Sequence, residues 1–328
     1  METELPGELA ERPFTVREAL AAGVEPSRLR RKDLAVPFRG ARIPATAEDA
    51  DDFALRCRAL VARRPDAALS HTTAARMHGL PVPWRIRDEL HLTVAPPGRP
   101  PRIAGVHSHR SLLGPRDLTR VGGMLMTAAA RTWADLSHTL SLRELVALGD
   151  AIVHWRSRRS TPDELRASGC SPGSRGAARA RHALALMHER SESPQESLLR
   201  VILAEAGLPP PDVNVDLRGP DGRFLARPDL RFPDQRVIVE YEGDHHRVDR
   251  GQWQRDLVRT TRLQAVGEKV VRVGSAHLHA EKSLVVLVYR SLAERGWLPG
   301  DAHCGGRSPH PEVVPGHEEF AQAALRYF

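Results

Sequence analysis

Asp229, Glu240 and Glu242 crowd into fourteen residues of this chain, on two segments whose other side chains are strand-like. Residues 226–246 read Ala-Arg-Pro-Asp-Leu-Arg-Phe-Pro-Asp-Gln-Arg-Val-Ile-Val-Glu-Tyr-Glu-Gly-Asp-His-His. Pro233-Asp234-Gln235-Arg236 has the composition of a four-residue hairpin loop. That loop sets Phe232 opposite Val237, Leu230 opposite Val239, and Asp229 opposite Glu240. Like charges facing each other across a hairpin repel. Alternation along the strand brings Glu242 to the same face as Glu240. A divalent cation accounts for such a grouping, and an all-oxygen donor set suits Mg²⁺ or Mn²⁺. The plainer alternative is a half-exposed strand with solvated or salt-bridged acids. Against it, Val237-Ile238-Val239 has the apolar run of a central strand, where an unpaired carboxylate is costly.

Several other residues have types and spacings suited to the same chemistry. His245 and His246 follow the acidic strand, where His245 or Glu242 would serve as a base or belong to a solvated loop. Arg255, Arg259 and Arg262 fall at i, i+4 and i+7, one face of a helix. They would hold a phosphate or form a salt-bridged surface stripe. Glu196 lies three residues after Ser193, so it is either a helix-capping partner or a further acidic ligand. Nearer the N-terminus, Arg28, Arg30 and Arg31 with Arg39 and Arg42 make a basic cluster suited to DNA phosphates. His107 and His109 share a face if that piece is a strand, but no third or fourth metal ligand is evident beside them. Cys57, Cys170 and Cys304 are odd in number and far apart, which supports neither a disulfide framework nor a cysteine zinc site.

The elements that must position these residues divide the 328-residue chain into several parts. Residues 1–49 read as helix, turn, basic helix and hairpin, the order of a winged helix-turn-helix. Thr15 and Glu18 make a capping box there, Gly23 is a stop, and a second helix is expected from Ser27. Residues 50–155 form an α+β region, with helices over 52–63 and from Ser70, a strand over 90–94 and a helix over 142–155. Residues 156–175, rich in arginine, proline and glycine, read as a basic linker. Residues 176–297 alternate as helix, strand meander, helix, strand and helix, which predicts an α/β sandwich around a mixed sheet. Residues 298–328 are expected to be a mobile tail, with 318–328 the part best suited to order.

Composition limits the function classes. The chain is 41% hydrophobic, without an apolar run near 18 residues, and its N-terminus lacks the pattern of a signal peptide. A cytoplasmic protein with no membrane span is the expectation. Net charge is +7, and all basic residues but Lys32, Lys269 and Lys282 are arginine, the better bidentate phosphate binder. Nucleic acid is the partner this balance suggests.

The set Pro228-Asp229, Val239-Glu240-Tyr241-Glu242-Gly243 with His245-His246, Arg255-Asp256 with Arg259, and Val271-Arg272-Val273 resembles the PD-(D/E)xK nuclease superfamily. Its look is that of the branch related to very-short-patch mismatch repair endonucleases. The resemblance covers about a third of the chain. It implies a restriction-endonuclease-like sheet flanked by helices. Asp229 and Glu240 would hold Mg²⁺ (or Mn²⁺), Glu196 would assist, and phosphodiester hydrolysis would follow. The superfamily lysine is missing, since Glu242 stands in its place. Residues 14–44, with 105–110 and 127–136, resemble AbiEi-type antitoxins of type IV toxin–antitoxin systems. That likeness implies DNA binding and leaves a homodimer and a toxin partner open. The combined expectation is an α/β protein that binds DNA and cuts it with Mg²⁺. The alternative is a non-catalytic DNA-binding transcriptional regulator of the antitoxin kind.

Overall fold

The structure, a computed structural model, describes residues 4–45, 52–243 and 250–298, with positions 52 and 250–257 described for backbone alone. It is a mixed α/β protein of two compact units. The first comprises Met1–Leu140 with Ser160–Ala180, the second Ser141–Arg159 with Arg181–Phe328.

The first unit opens with a short three-stranded sheet, Phe14–Thr15, Ala41–Pro44 and Leu34–Ala35, beside the helix Val16–Ala21. Both halves of the expected capping box are present: Thr15 Oγ1 accepts from Glu18 N–H, and the Glu18 carboxylate accepts from Thr15 N–H. Gly23 takes a left-handed φ of 81° and ends the turn. The expected second helix is only a single 3₁₀ turn, Arg28–Arg30. The buried Arg28 side chain reaches forward there to grip both oxygens of Asp33 at 3.0 and 2.6 Å. The hairpin, expected to turn at Gly40 within 36–43, instead pairs Leu34 with Pro44 and Ala35 with Ile43, leaving residues 36–40 as its loop.

A five-stranded sheet follows, in the order Val106–Arg110, Leu90–Val94, Ala67–Leu69, Met124–Thr127, Leu118–Val121. The last two strands join through Gly122-Gly123, both left-handed as a two-residue hairpin loop requires. Leu69, Leu90, Leu92 and Met126 of this sheet bury against Cys57 and Leu60 of the helix Asp52–Arg63. The stretch 156–175, expected as a linker, is not bare chain. Thr161 and Glu164 form a capping box with Pro162 at N1, starting the helix Pro162–Gly169. That helix packs on the fully buried Trp133, at a point so tight that a Cβ on Gly169 would lie 2.7 Å from the indole.

The second unit holds a four-stranded sheet in the order Lys269–Gly274, Val237–Glu242, Leu230–Phe232, Asp212–Val213. Leu230 pairs with Val239 and Phe232 with Val237, the register expected from the loop Pro233–Arg236. The strand Val237–Glu242 then runs parallel to Lys269–Gly274, making the sheet mixed. Val237, Ile238 and Val239 are wholly buried. Val237 and Val239 meet Leu199, Ile202 and Leu203 of the helix Pro194–Glu205, with Leu284, Val288 and Leu292 of the helix Glu281–Ala293. Ile238, on the opposite face, meets Leu263 of the helix Arg250–Ala265. The sheet is therefore covered on both sides, and alternation places Glu240 and Glu242 on the Ile238 side. The helix Leu142–Val153 joins this unit through Asp150, which accepts from Arg200 Nη2, Ser197 Oγ and His188 N–H at 2.5, 2.7 and 2.7 Å.

Candidate functional site

Asp229 sits at the foot of the strand Leu230–Phe232, and its Oδ2 accepts from Tyr241 N–H at 2.7 Å. That bond ties it to the strand carrying Glu240, across the hairpin. Burial pushes the Asp229 carboxyl up to about 7, and the Glu196 and Glu240 charges push the same way, against the Tyr241 N–H and Arg259. Three carboxylates thus share one small region, drawn from a strand end, a central strand and a helix. Glu196 is buried and accepts from Asn214 Nδ2 at 2.7 Å and Glu192 N–H at 2.9 Å. Half of the expected Ser193 cap is present, because Ser193 Oγ accepts from Glu196 N–H at 3.1 Å. The Glu196 carboxylate is turned away from the cap, toward Asn214. Asn214 is itself buried and held in a left-handed conformation with φ 48°.

Glu240 is nearly buried and forms a close ion pair with Arg259 of the helix Arg250–Ala265. Arg259 is therefore inside the acidic group. Glu242 differs: it is exposed and its Oε1 pairs with Arg272 Nη1 at 2.9 Å. The acid that joins Asp229 and Glu240 is Glu196 rather than Glu242. Arg262 is exposed, as the stripe predicts, while Arg255 lies on the helix with only its backbone described. His245 lies outside the described residues, as does His246.

The N-terminal arginines divide by environment. Arg28 is committed to Asp33, and Arg42 donates through Nε to Leu29 O at 2.7 Å and through Nη1 to Ala41 O at 2.8 Å. Arg30, Arg31 and Arg39 are exposed. The structure also brings together histidines that the sequence did not connect. His107 and His109 have partners after all, in His71 and His91 of the first unit. The signal was present but long-range: the strand holding His91 runs parallel to the one holding the His107/His109 pair, with His91 level with His107.

The chain is similar to two uncharacterised proteins from two strains of Mycobacterium tuberculosis, each 32% identical over 157 residues. That stretch is 48% of this chain and 57% of theirs, so the chain spans little more than half the length of the curated relatives it matches. No family model matches, and no solved structure matches. No helix among the described residues is long and apolar enough to cross a membrane.

Proposed function

We propose that the second unit is a metal-dependent nuclease domain that hydrolyses DNA phosphodiesters, in a cytoplasmic protein. The observation that carries the reading is the buried grouping of Asp229, Glu240 and Glu196, with Asp229 raised to about 7 by burial and by its acidic neighbours. Such a group is costly unless a cation joins it. The donor set would be all oxygen, the type that suits Mg²⁺ or Mn²⁺, with Asp229, Glu240 and Glu196 as the residues that would hold it. When bound, such a cation polarises a phosphoryl oxygen and lowers the pKa of water. The supporting frame is an antiparallel hairpin feeding a parallel strand through one helix, as the PD-(D/E)xK resemblance implies.

The chain's own groups supply the rest. Tyr241 N–H fixes the orientation of Asp229, and Asn214 fixes that of Glu196. Arg259 neutralises part of the acidic charge, and on exchanging Glu240 for a phosphate it would help stabilise transition-state charge. Exposed Arg262 and the exposed Arg30, Arg31 and Arg39 offer contacts to the DNA backbone. The Arg259–Glu240 pair also favours a second reading. An arginine seated on a ligand, with no lysine at position 242, suits a regulator that binds DNA without cutting it. Cleavage of supercoiled plasmid and single-stranded DNA in Mg²⁺ or Mn²⁺ separates the two. Nicking that disappears in Asp229→Asn and Glu240→Gln supports the nuclease. Salt-sensitive DNA binding without nicking refutes it in favour of the regulator.

A further inference from the structure

The first unit contains a second cluster with metal-binding chemistry, made of nitrogen rather than oxygen donors. His71 opens the helix His71–Met77, His91 lies in the strand Leu90–Val94, and His109 lies in the neighbouring strand Val106–Arg110. One ring nitrogen from each falls within 4.8 Å of the other two. His71 and His91 are 8% exposed, and His109 is half-buried. His91 Nδ1 lies 2.9 Å from His109 Nε2, and the His71 and His109 rings stack with centroids 3.9 Å apart.

The hydrogen bond to Glu89 settles which nitrogen of His91 carries the lone pair. Glu89 Oε2 lies 3.1 Å from His91 Nε2, and a carboxylate can only accept, so His91 Nε2 carries the hydrogen. His91 Nδ1 is then the bare nitrogen, and it faces His109. A carboxylate behind a histidine, fixing the ring and its tautomer, is the usual outer support of a metal ligand. His71 has similar backing, with Nδ1 3.0 Å from Ser70 Oγ, a hydroxyl that also accepts from Thr93. His71 is also held at φ 52°, a conformation that non-glycine residues adopt when surroundings or function impose it. Burial, before the neighbouring histidines, pushes His71 to about 2 and His109 to about 4, and lowers His91 as well. Neutral imidazole is the form that binds metal.

We infer that His71, His91 and His109 form a transition-metal site, with Zn²⁺ as its occupant and Glu89 orienting His91. Three imidazoles with a fourth position left to water or substrate form a common zinc set, while Mg²⁺ would not choose it. At zinc–nitrogen bonds of about 2.0–2.1 Å, tetrahedral ligand nitrogens lie about 3.3 Å apart. The 2.9 Å pair would thus open by a few tenths of an ångström. The stacked His71 and His109 rings would splay about χ2, a soft torsion.

The test uses the full chain, stripped with a chelator and titrated with Zn²⁺ alone, then with Co²⁺ as a visible probe of tetrahedral coordination. One tight Zn²⁺ equivalent is expected. It should survive Glu240→Gln and His107→Ala and disappear in His109→Ala. Glu89→Gln, at a half-exposed position that the fold tolerates, should bind about 10–100-fold more weakly. Equal affinity in wild type and His109→Ala, or no stoichiometric binding, would make the cluster a hydrogen-bonded stack and overturn the assignment. Loss in His107→Ala but not in His109→Ala would overturn the ligand set in favour of Glu89, His91 and His107.

Discussion

Asp229→Asn should stabilise the metal-free protein at alkaline pH, and by well under half as much at pH 5. The Asp229 carboxyl rises from an ordinary 3.8 to about 7 in the folded chain. Folding therefore holds this proton more tightly than the unfolded chain does. The resulting stability is complete below about pH 4 and is lost as pH climbs through about 7. A rise of about three units at about 1.4 kcal/mol each puts the ceiling near 4 kcal/mol. Partial solvent access and charge sharing with Glu196 and Glu240 reduce it, so about 2 kcal/mol is expected at pH 8.5. Asparagine keeps the acceptor for Tyr241 N–H and adds N–H donors toward the neighbouring carboxylates. At pH 5 the folded wild-type group is neutral while the unfolded one is largely ionised, so the substitution still gains something over a third of its alkaline effect. Urea unfolding of both proteins in EDTA at pH 5 and 8.5 gives the two differences directly. Adding Mg²⁺ at pH 8.5 should then stabilise wild type and not the variant, since only wild type gains a binding term. A stability difference that is the same at both pH values would refute the reasoning, because the buried charge would then carry no penalty.

Proton and cation compete for Asp229, so Mg²⁺ affinity should fall by up to about tenfold per pH unit below 7, measured as the half-saturating Mg²⁺ for binding at pH 6 and 8. Removing Arg259 takes away a charge that lowers the Asp229 pKa, so Arg259→Gln should move that midpoint to higher pH. Asp150→Ala leaves the buried Arg200 guanidinium without its carboxylate and should cost roughly 3–5 kcal/mol in denaturant unfolding. Gly169→Ala drives a methyl into the Trp133 ring and should cost about 1–3 kcal/mol, read in the same way.

The parts of the fold that were legible are those written in nearest-neighbour terms. The hairpin register around Leu230 and Val239 followed from a four-residue loop and alternation. The Thr15–Glu18 cap and the helix Asp52–Arg63 followed from local spacing. The same logic was available at Thr161-Pro162-Asp163-Glu164, where a proline-rich, arginine-rich composition hid a capping box that builds a helix. Composition averages over a segment, whereas a cap depends on two residues. The basic turn at Arg28–Arg30 failed for the opposite reason. Its arginine spacing suits a helix, but Asp33 lies within reach of Arg28, and a bidentate pair of buried Arg28 with exposed Asp33 accompanies the tight turn.

Side-chain choice among several partners was the least legible property. Alternation correctly placed Glu240 and Glu242 on one face, yet it could not decide which acid joins Asp229. Arg272 stands level with Glu240 on the neighbouring parallel strand and draws Glu242 outward. Asn214 holds Glu196 beside Asp229 from eighteen residues away in sequence. The histidines make the same point across a longer span. His71, His91 and His109 meet because the strand Leu90–Val94 pairs in parallel with Val106–Arg110, and Ser70 and Thr93 bond to each other where Ala67–Leu69 meets that sheet. A pair two residues apart on a strand marks a face, and the neighbouring strand decides whether that face completes a ligand set. The oxygen cluster and the nitrogen cluster thus arise by one route. In each, two neighbouring strands or strand ends supply one residue apiece, and a residue from a helix start (Glu196 in one, His71 in the other) closes the group.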